Sequence, residues 1–477
     1  MPAAKTIANF GQQLSVVSIV GLSMTPSLCD SGDSEIKTKI KMLELSSLIS
    51  YFALAAVISW FTYKIYIYPY YISPLRVIPV TDPKIIKDVV LNHGYDFVKP
   101  KVLRGDFKPI LGRGLSIVEG VIHKRQRKMM NPAFTYNNIK NMVPTIVNVA
   151  STLKCVLEDK VNKGEAKINL TPYISKTTLD IIGLVGFNHA FNSLTSPSEL
   201  AQVYESLIKI PLNMNIRYNN ACKVIERESR NLLEEKYHDD RNNNLDGYDL
   251  LSALIKINKD LPVEEKMTDE ELRFQIMTIL LAGHGTTSII MNWALYQLAK
   301  HPHEQDKLRE ELVKAFPDKS KFNPNFDEIN SLEYLNCVVK ETFRLNPAVS
   351  ILQRTNIKDM IIGGQFVPKG STIDIPIATL QKLPSIWGPT ADNFDPKRWL
   401  DSSLIKVVTN YNYMPFGTGV RSCIGNKIAL SEFKVLLGML VRNFVFRPVE
   451  GFDVKRKPGL FGNPDSYVEL FVSNVEV

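Results

Sequence analysis

The segment best equipped for chemistry is MPFGTGVRSCIG, residues 414–425. It spaces Phe416, Gly419, Arg421, Cys423 and Gly425 as F-x-x-G-x-R-x-C-x-G. Glycines in such a loop let backbone amides point at the Cys423 sulfur. Those amides, the N-terminus of a helix starting near Asn426 and a nearby cation all favour thiolate over thiol. Arg421 supplies the cation two residues away. The other cysteines, at 29, 155, 222 and 337, are scattered and form no C-x-x-C pair, which argues against zinc and iron–sulfur clusters. A lone thiolate suits a haem iron, which needs one axial protein ligand. Cys423 is therefore the expected metal ligand.

A second segment, Thr268–Lys300, must be a long element. Thr268 and Glu271 make a capping box, and Pro302 follows the end. At ~1.5 Å per residue the helix runs about 50 Å. Its middle, IMTILLAGHGTTSIIMNWAL, is apolar nearly all round and should be buried. Gly283 and Gly285 interrupt it, each costing ~1 kcal/mol against alanine. They fit either a close helix crossing or a loosened turn where Thr286 and the backbone face a ligand.

Together with further motifs in order along the chain, these segments resemble a cytochrome P450, a haem-thiolate monooxygenase, over roughly residues 80–477. The N-terminus looks like the membrane-anchored microsomal type. Glu341-Thr342-Phe343-Arg344 resembles the family's E-x-x-R, and Phe394–Trp399 its F-x-P-x-R-W segment. The resemblance implies that Arg398 joins Glu341 and Arg344 in a buried triad under haem b, and that Phe416 and Gly425 belong to the cofactor loop. Propionate donors would be Arg354, Arg421 and the pair His123 and Arg127, where HKRQR matches W-x-x-x-R with histidine in place of tryptophan. Ala282–Thr287 resembles the oxygen-activating A-G-x-[D/E]-T-T turn, with Thr286 holding hydrogen bonds to the distal oxygen. Gly285 stands where the family has an acid, so proton relay should be slow or rerouted through water or His284.

The resemblance also implies function. One oxygen atom of O2 would enter a lipophilic substrate, with electrons from NADPH-cytochrome P450 reductase and with cytochrome b5 as a second donor. Leu281, Ala282, Val349 and Phe461 fall at substrate positions and are apolar. Lys124, Arg125, Lys128 and Lys427 would form the landing patch for an acidic reductase. Other functions compatible with the sequence are a reductase-independent isomerase or dehydratase of lipid hydroperoxides, and a catalytically impaired haem binder.

Composition is that of a globular protein: 477 residues, 45% hydrophobic and 22% charged. The net charge of +8 has no basic run with interleaved aromatics, so nucleic acid is not an expected partner. Residues 45–63, LSSLISYFALAAVISWFTY, carry no charge and could cross ~30 Å of hydrocarbon. Trp60, Tyr63, Tyr66 and Tyr68 would form its interfacial belt. The expected organisation is an extension over 1–44, a transmembrane anchor over 45–68, a proline hinge over 69–79 and one catalytic domain over 80–477. The fold class is mainly α with a small β-sheet. Periodicity predicts helices over Lys84–Leu91, His123–Met130, Ile146–Leu157, Ser175–Gly186, Asp269–Ala299, His303–Ala315, Leu332–Leu345 and Asn426–Val441. Strands are expected over 350–378 and 465–475.

Placement is expected in the endoplasmic reticulum membrane, single-pass, with the catalytic domain in the cytosol. Lys37, Lys39 and Lys41 before the span, against Lys64 and Arg76 after it, count towards the opposite orientation. The proline stretch runs almost directly into Val80-Thr81-Asp82-Pro83. The first two strands of the family's main sheet are therefore expected to be missing, leaving their partners near 350–378 with a bare edge and a poorly folding protein.

Overall fold

The computed structural model describes residues 34–62, 77–209, 216–245, 247–318 and 322–475. The chain divides into two units, Met1–Ser73 and Pro74–Val477. In the first, helix α1 (Ser34–Thr62) displays Leu48, Ile49, Phe52, Leu54 and Trp60 to the outside. Its apolar stretch, Leu45–Val57, is short. Tyr63, Tyr66, Tyr68, most of the expected hinge and most of the N-terminal extension lie outside the described residues.

The second unit is mostly helical. Its helices are α2 (Pro83–Lys87), α3 (Lys101–Leu111), α4 (Gly120–Met130), α5 (Tyr136–Asn162), α6 (Thr171–Phe187), α7 (Glu199–Lys209) and α8 (Ile216–Arg241). Then follow α9 (Leu250–Asp260), α10 (Asp269–Lys300), α11 (Pro302–Ala315), α12 (Phe326–Ser331), α13 (Glu333–Leu345) and α14 (Asn426–Asn443). Every helix expected from periodicity is present. The ones missed, among them α3, α7, α8 and α9, are shorter or richly charged, so no long apolar stripe marks them.

Helix α10 organises the unit. The Thr268 hydroxyl accepts the Glu271 N–H, and the Glu271 carboxylate reaches back to the Thr268 N–H, closing the capping box. By length and hydropathy α10 is the one described helix able to cross a membrane, but 67% of its apolar window is buried. It is a core helix, packed on α6, α8, α13 and α14.

Three small sheets complete the unit. The largest has strand order β1 (Val77–Pro79), β7 (Thr372–Ile375), β4 (Leu352–Asn356), β2 (Phe97–Val98). A second places β9 (Glu469–Asn474) between β3 (Lys167–Asn169) and β8 (Phe444–Pro448), and β5 (Met360–Ile362) with β6 (Gln365–Val367) forms a hairpin. The expected bare edge is absent. Residues Val77–Pro79, read from sequence as hinge, pair in parallel with Thr372–Asp374. The Val80 N–H continues the ladder to the Asp374 carbonyl at 2.8 Å. Pro79 ends the strand and has no N–H to offer; Asp82 then caps α2. A proline-rich stretch thus satisfies the β7 edge, because a parallel partner of three residues needs little regular sequence.

Candidate active site

The cysteine loop is built on two glycines with positive φ, Gly417 at 65° and Gly419 at 76°. A side chain at Gly419 would collide with the Val90 carbonyl oxygen, 2.0 Å from its Cβ position, so the loop lies directly against the helical turn Asp88–Asn92. The Cys423 N–H donates to the Phe416 carbonyl at 2.9 Å, closing the loop, and the Phe416 ring packs 5.3 Å from Phe343 of α13. Gly425 caps α14. Burial pushes the Cys423 thiol up, opposed by a hydrogen bond from the Gly425 backbone and by the Arg127 charge. Cys423 nonetheless remains accessible. Arg127 holds the loop from α4, donating to the Ser422 carbonyl at 2.6 Å and to Asn131 Oδ1 at 3.0 Å.

Beneath the loop lies the carboxylate–arginine network. Arg344 binds Glu341 through two parallel hydrogen bonds, Nε to Oε2 at 2.9 Å and Nη2 to Oε1 at 2.8 Å, with both side chains fully buried. Glu341 also accepts from Arg398 Nε, Trp399 Nε1 and the Asp395 N–H. Arg344 Nη1 reaches the carbonyls of Gln381 and Ala391, and Arg398 those of Trp387 and Thr390. Five donors on one carboxylate offset its desolvation. These three residues brace the backbone around the loop; they are placed to support chemistry rather than to touch reacting atoms.

On α10 the two glycines have different surroundings. A Cβ at Gly283 would lie 2.6 Å from Ile182 Cδ1 of α6, whereas one at Gly285 meets nothing within 4 Å. Gly283 therefore permits the helix crossing, as the first account expects, and Gly285 looks into open space, but no loosened turn forms. The helix stays regular through this turn. Ala282 is exposed in the middle of this mostly buried helix, and the Thr286 hydroxyl donates to its carbonyl at 2.8 Å. His284 points the other way. It is 2% exposed, hydrogen-bonded to Ser175 Oγ at 2.8 Å and set against the Tyr204 ring, with its pKa lowered to about 4 by burial. It is neutral and remote from the Thr286 side, so it does not serve as the substitute acid.

Two expected substrate residues meet: Val349 and Phe461 form an antiparallel bridge, and Phe461 packs edge-on against Phe107 of α3 at 6.1 Å. Leu281 is partly buried against the main core. A separate polar cavity of about 690 Å³, lined by Tyr296, Lys300, Lys382, Asp453 and Arg456 among others, mixes both charges; of the motif residues it takes only Phe394 and Asp395, from the start of the F-x-P-x-R-W segment.

A single accessible thiol in a glycine loop, braced by a buried E-x-x-R network, matches one family along nearly the whole chain: the sequence model of cytochrome P450 covers residues 57–470. The chain belongs to the cytochrome P450 family. It is 35% identical over 412 residues to cytochrome P450 monooxygenase 205 of Postia placenta, covering 75% of each chain. It is 34% identical over 436 residues to cytochrome P450 monooxygenase 128 of the same fungus, covering 79% of this chain and 78% of that one. To cytochrome P450 3A29 of Sus scrofa it is 30% identical over 407 residues, covering 80% and 79%. As a cytochrome P450 it is an oxygen-incorporating oxidoreductase with haem b as cofactor.

The residues fit that cofactor. Beside the P450 loop lies a cluster of cations with one carboxylate. Glu119 takes the Lys99 N–H at 2.9 Å, sits 3.7 Å from Lys99 Nζ, and ion-pairs with Arg421. Arg354 is 6% exposed and donates to the Gln353 carbonyl. Burial and the neighbouring charges of Arg354, Arg421 and Arg104 bring Lys99 to about 7, against the pull of Glu119. Arg354 falls to about 10, mainly through burial and Arg421. Arg421 Nε and Arg104 Nε are buried with no acceptor. Such a surplus of buried donors calls for carboxylates, and haem brings two. His123, 3% exposed, hydrogen-bonds Tyr95 through Nδ1 at 3.1 Å. The sequence reading missed Tyr95, Lys99, Arg104 and Glu119, which belong to no motif; only the fold gathers them around Arg421. It also missed Gln381, whose side chain bonds the Met414 N–H.

Proposed function

We propose that the chain is a membrane-anchored monooxygenase of lipophilic small molecules that draws electrons from an NADPH-dependent reductase. The observation that carries this reading is the Thr286 hydroxyl beside the exposed Ala282 on α10, together with the apolar pair Val349 and Phe461 at the expected substrate positions. When bound, haem supplies oxygen activation and insertion into a C–H bond. Cys423 would hold it through sulfur; Arg354, Arg421, Arg127 and His123 would hold its propionates. The Thr286 Oγ–H is committed to the Ala282 carbonyl, which leaves the oxygen lone pairs to accept a hydrogen bond from the cavity. Apolar residues at those positions would exclude water and favour substrates that leave membrane lipid. No carboxylate stands on the Gly285 turn, so protons must come through water.

For the reductase, Lys124 and Lys427 are exposed on the cysteine-loop side, whereas Arg125 pairs with Glu271 and Lys128 with Glu265. The docking charge is therefore smaller than the sequence count suggests. The exposed apolar side chains of α1 support a membrane anchor, and we place the protein in the endoplasmic reticulum membrane with the catalytic unit cytosolic.

Membranes from cells expressing the chain with a reductase test this. Reduction under carbon monoxide should give the red-shifted thiolate band, and Cys423→Ser should abolish it. Fatty acids should produce a substrate-type spectral shift, with NADPH-dependent product. Turnover of lipid hydroperoxides without NADPH, and none with it, would overturn the reading in favour of the isomerase or dehydratase.

A further inference from the structure

His123 replaces the tryptophan that the family uses as an N–H donor at this position, and an imidazole donates towards the cofactor only if its hydrogen is on the right nitrogen. His123 Nδ1 lies 3.1 Å from the Tyr95 hydroxyl, with the two rings 5.8 Å apart and tilted by 58°. Among the described residues its Nε2 has no hydrogen-bond partner, and it is not one of the buried orphan atoms, so it is open to a ligand. The protein surroundings disfavour an imidazolium: burial, Arg421, Lys99, Arg127 and Arg354 lower its pKa to about 3. A neutral ring carries one hydrogen, and a hydrogen on Nδ1 would leave a bare lone pair on Nε2 facing a propionate.

Tyr95 itself is fixed in place. Lys124 Nζ sits 4.4 Å from its ring centroid and Arg421 Cζ 5.3 Å away, both as cation–π contacts. Its ring is thus held by a residue of α4 and by one of the cysteine loop. We propose that Tyr95 is a positioning residue for the cofactor: its hydroxyl donates to His123 Nδ1, which keeps the ring hydrogen on Nε2 and gives a haem propionate the N–H donor that an indole supplies elsewhere in the family. The Tyr95 hydroxyl acts through His123, the ring's contact with Arg421 being kept in Tyr95→Phe, and the inference is independent of substrate and reductase.

The test uses the full-length holoprotein and three variants: Tyr95→Phe, His123→Trp and the double substitution. The readouts are haem transfer to excess apomyoglobin and the midpoint potential of the iron. Tyr95→Phe should speed haem loss about tenfold, the scale of one charge-assisted hydrogen bond, and shift the potential. His123→Trp brings its own N–H, so adding Tyr95→Phe to it should change neither readout. An equal effect of Tyr95→Phe in both backgrounds, or none in the wild type, overturns the proposal. Should Tyr95→Phe yield no holoprotein, recovery of holoprotein in the double variant supports it, and failure of the double variant overturns it.

Discussion

Gln381 accepts the Met414 N–H at 2.9 Å through its side-chain oxygen, while its amide nitrogen donates to the carbonyls of Phe343 and Arg344. One fully buried amide therefore links the last turn of α13, and with it the Glu341–Arg344 pair, to the first residue of the cysteine loop. Neither E-x-x-R nor the cysteine motif includes it.

Replacing Gln381 with leucine should leave three buried backbone groups unpaired and cost ~2–4 kcal/mol. The expected outcome is a lower denaturant midpoint and a reduced-CO spectrum that decays from the thiolate band. A Gln381→Leu protein with unchanged midpoint and band would show that the link is idle. Glu341→Gln should be harsher, since one partner's removal strands the Arg344 charge at a cost of about 3–5 kcal/mol.

Gly285→Glu should raise the fraction of NADPH electrons recovered as product. The position has room for a side chain, and a carboxylate there would stand one residue before Thr286. Parallel measurement of NADPH oxidation, peroxide release and product decides it. Unchanged coupling would mean that proton delivery is already efficient through water.

His284 predicts an acid sensitivity. Its folded pKa of about 4 lies below the ordinary 6.5, so the neutral ring contributes stability that is fully present above about pH 6.5 and is lost as pH falls towards 4. Urea midpoints should drop between pH 7 and 5, and that drop should shrink in His284→Phe, where the new ring can still pack on Tyr204. Coupling at pH 7.4 should not change. A pH-dependent coupling defect in His284→Phe would restore the histidine to the proton path.

The β1 strand predicts that the protein gives a full thiolate spectrum despite its short entry into the main sheet. Deleting residues 74–79 should uncover β7 and cause aggregation. An intact spectrum in the deletion would show that the β7 edge needs no partner.

The sequence made some of this legible and hid the rest for physical reasons. Motifs held in one short segment, such as the cysteine loop and the α10 capping box, were readable because their chemistry is local. The strand at Val77–Pro79 was not, because its pairing depends on a partner almost 300 residues away and its prolines argue against a strand. Lys99, Glu119 and Tyr95 were hidden for a similar reason: each is an ordinary residue until tertiary contacts bring it beside Arg421. Gly283 and Gly285 were singled out together, and only the position of Ile182 separates them.

That separation has an evolutionary reading. At residue 283 an added carbon meets the Ile182 side chain of the neighbouring helix, which must shift, so the position is constrained. Two residues on, substitution meets no wall and changes what borders the reacting centre. Drift in this lineage, or directed libraries in the laboratory, can thus explore new oxidative behaviour at 285 without endangering the scaffold.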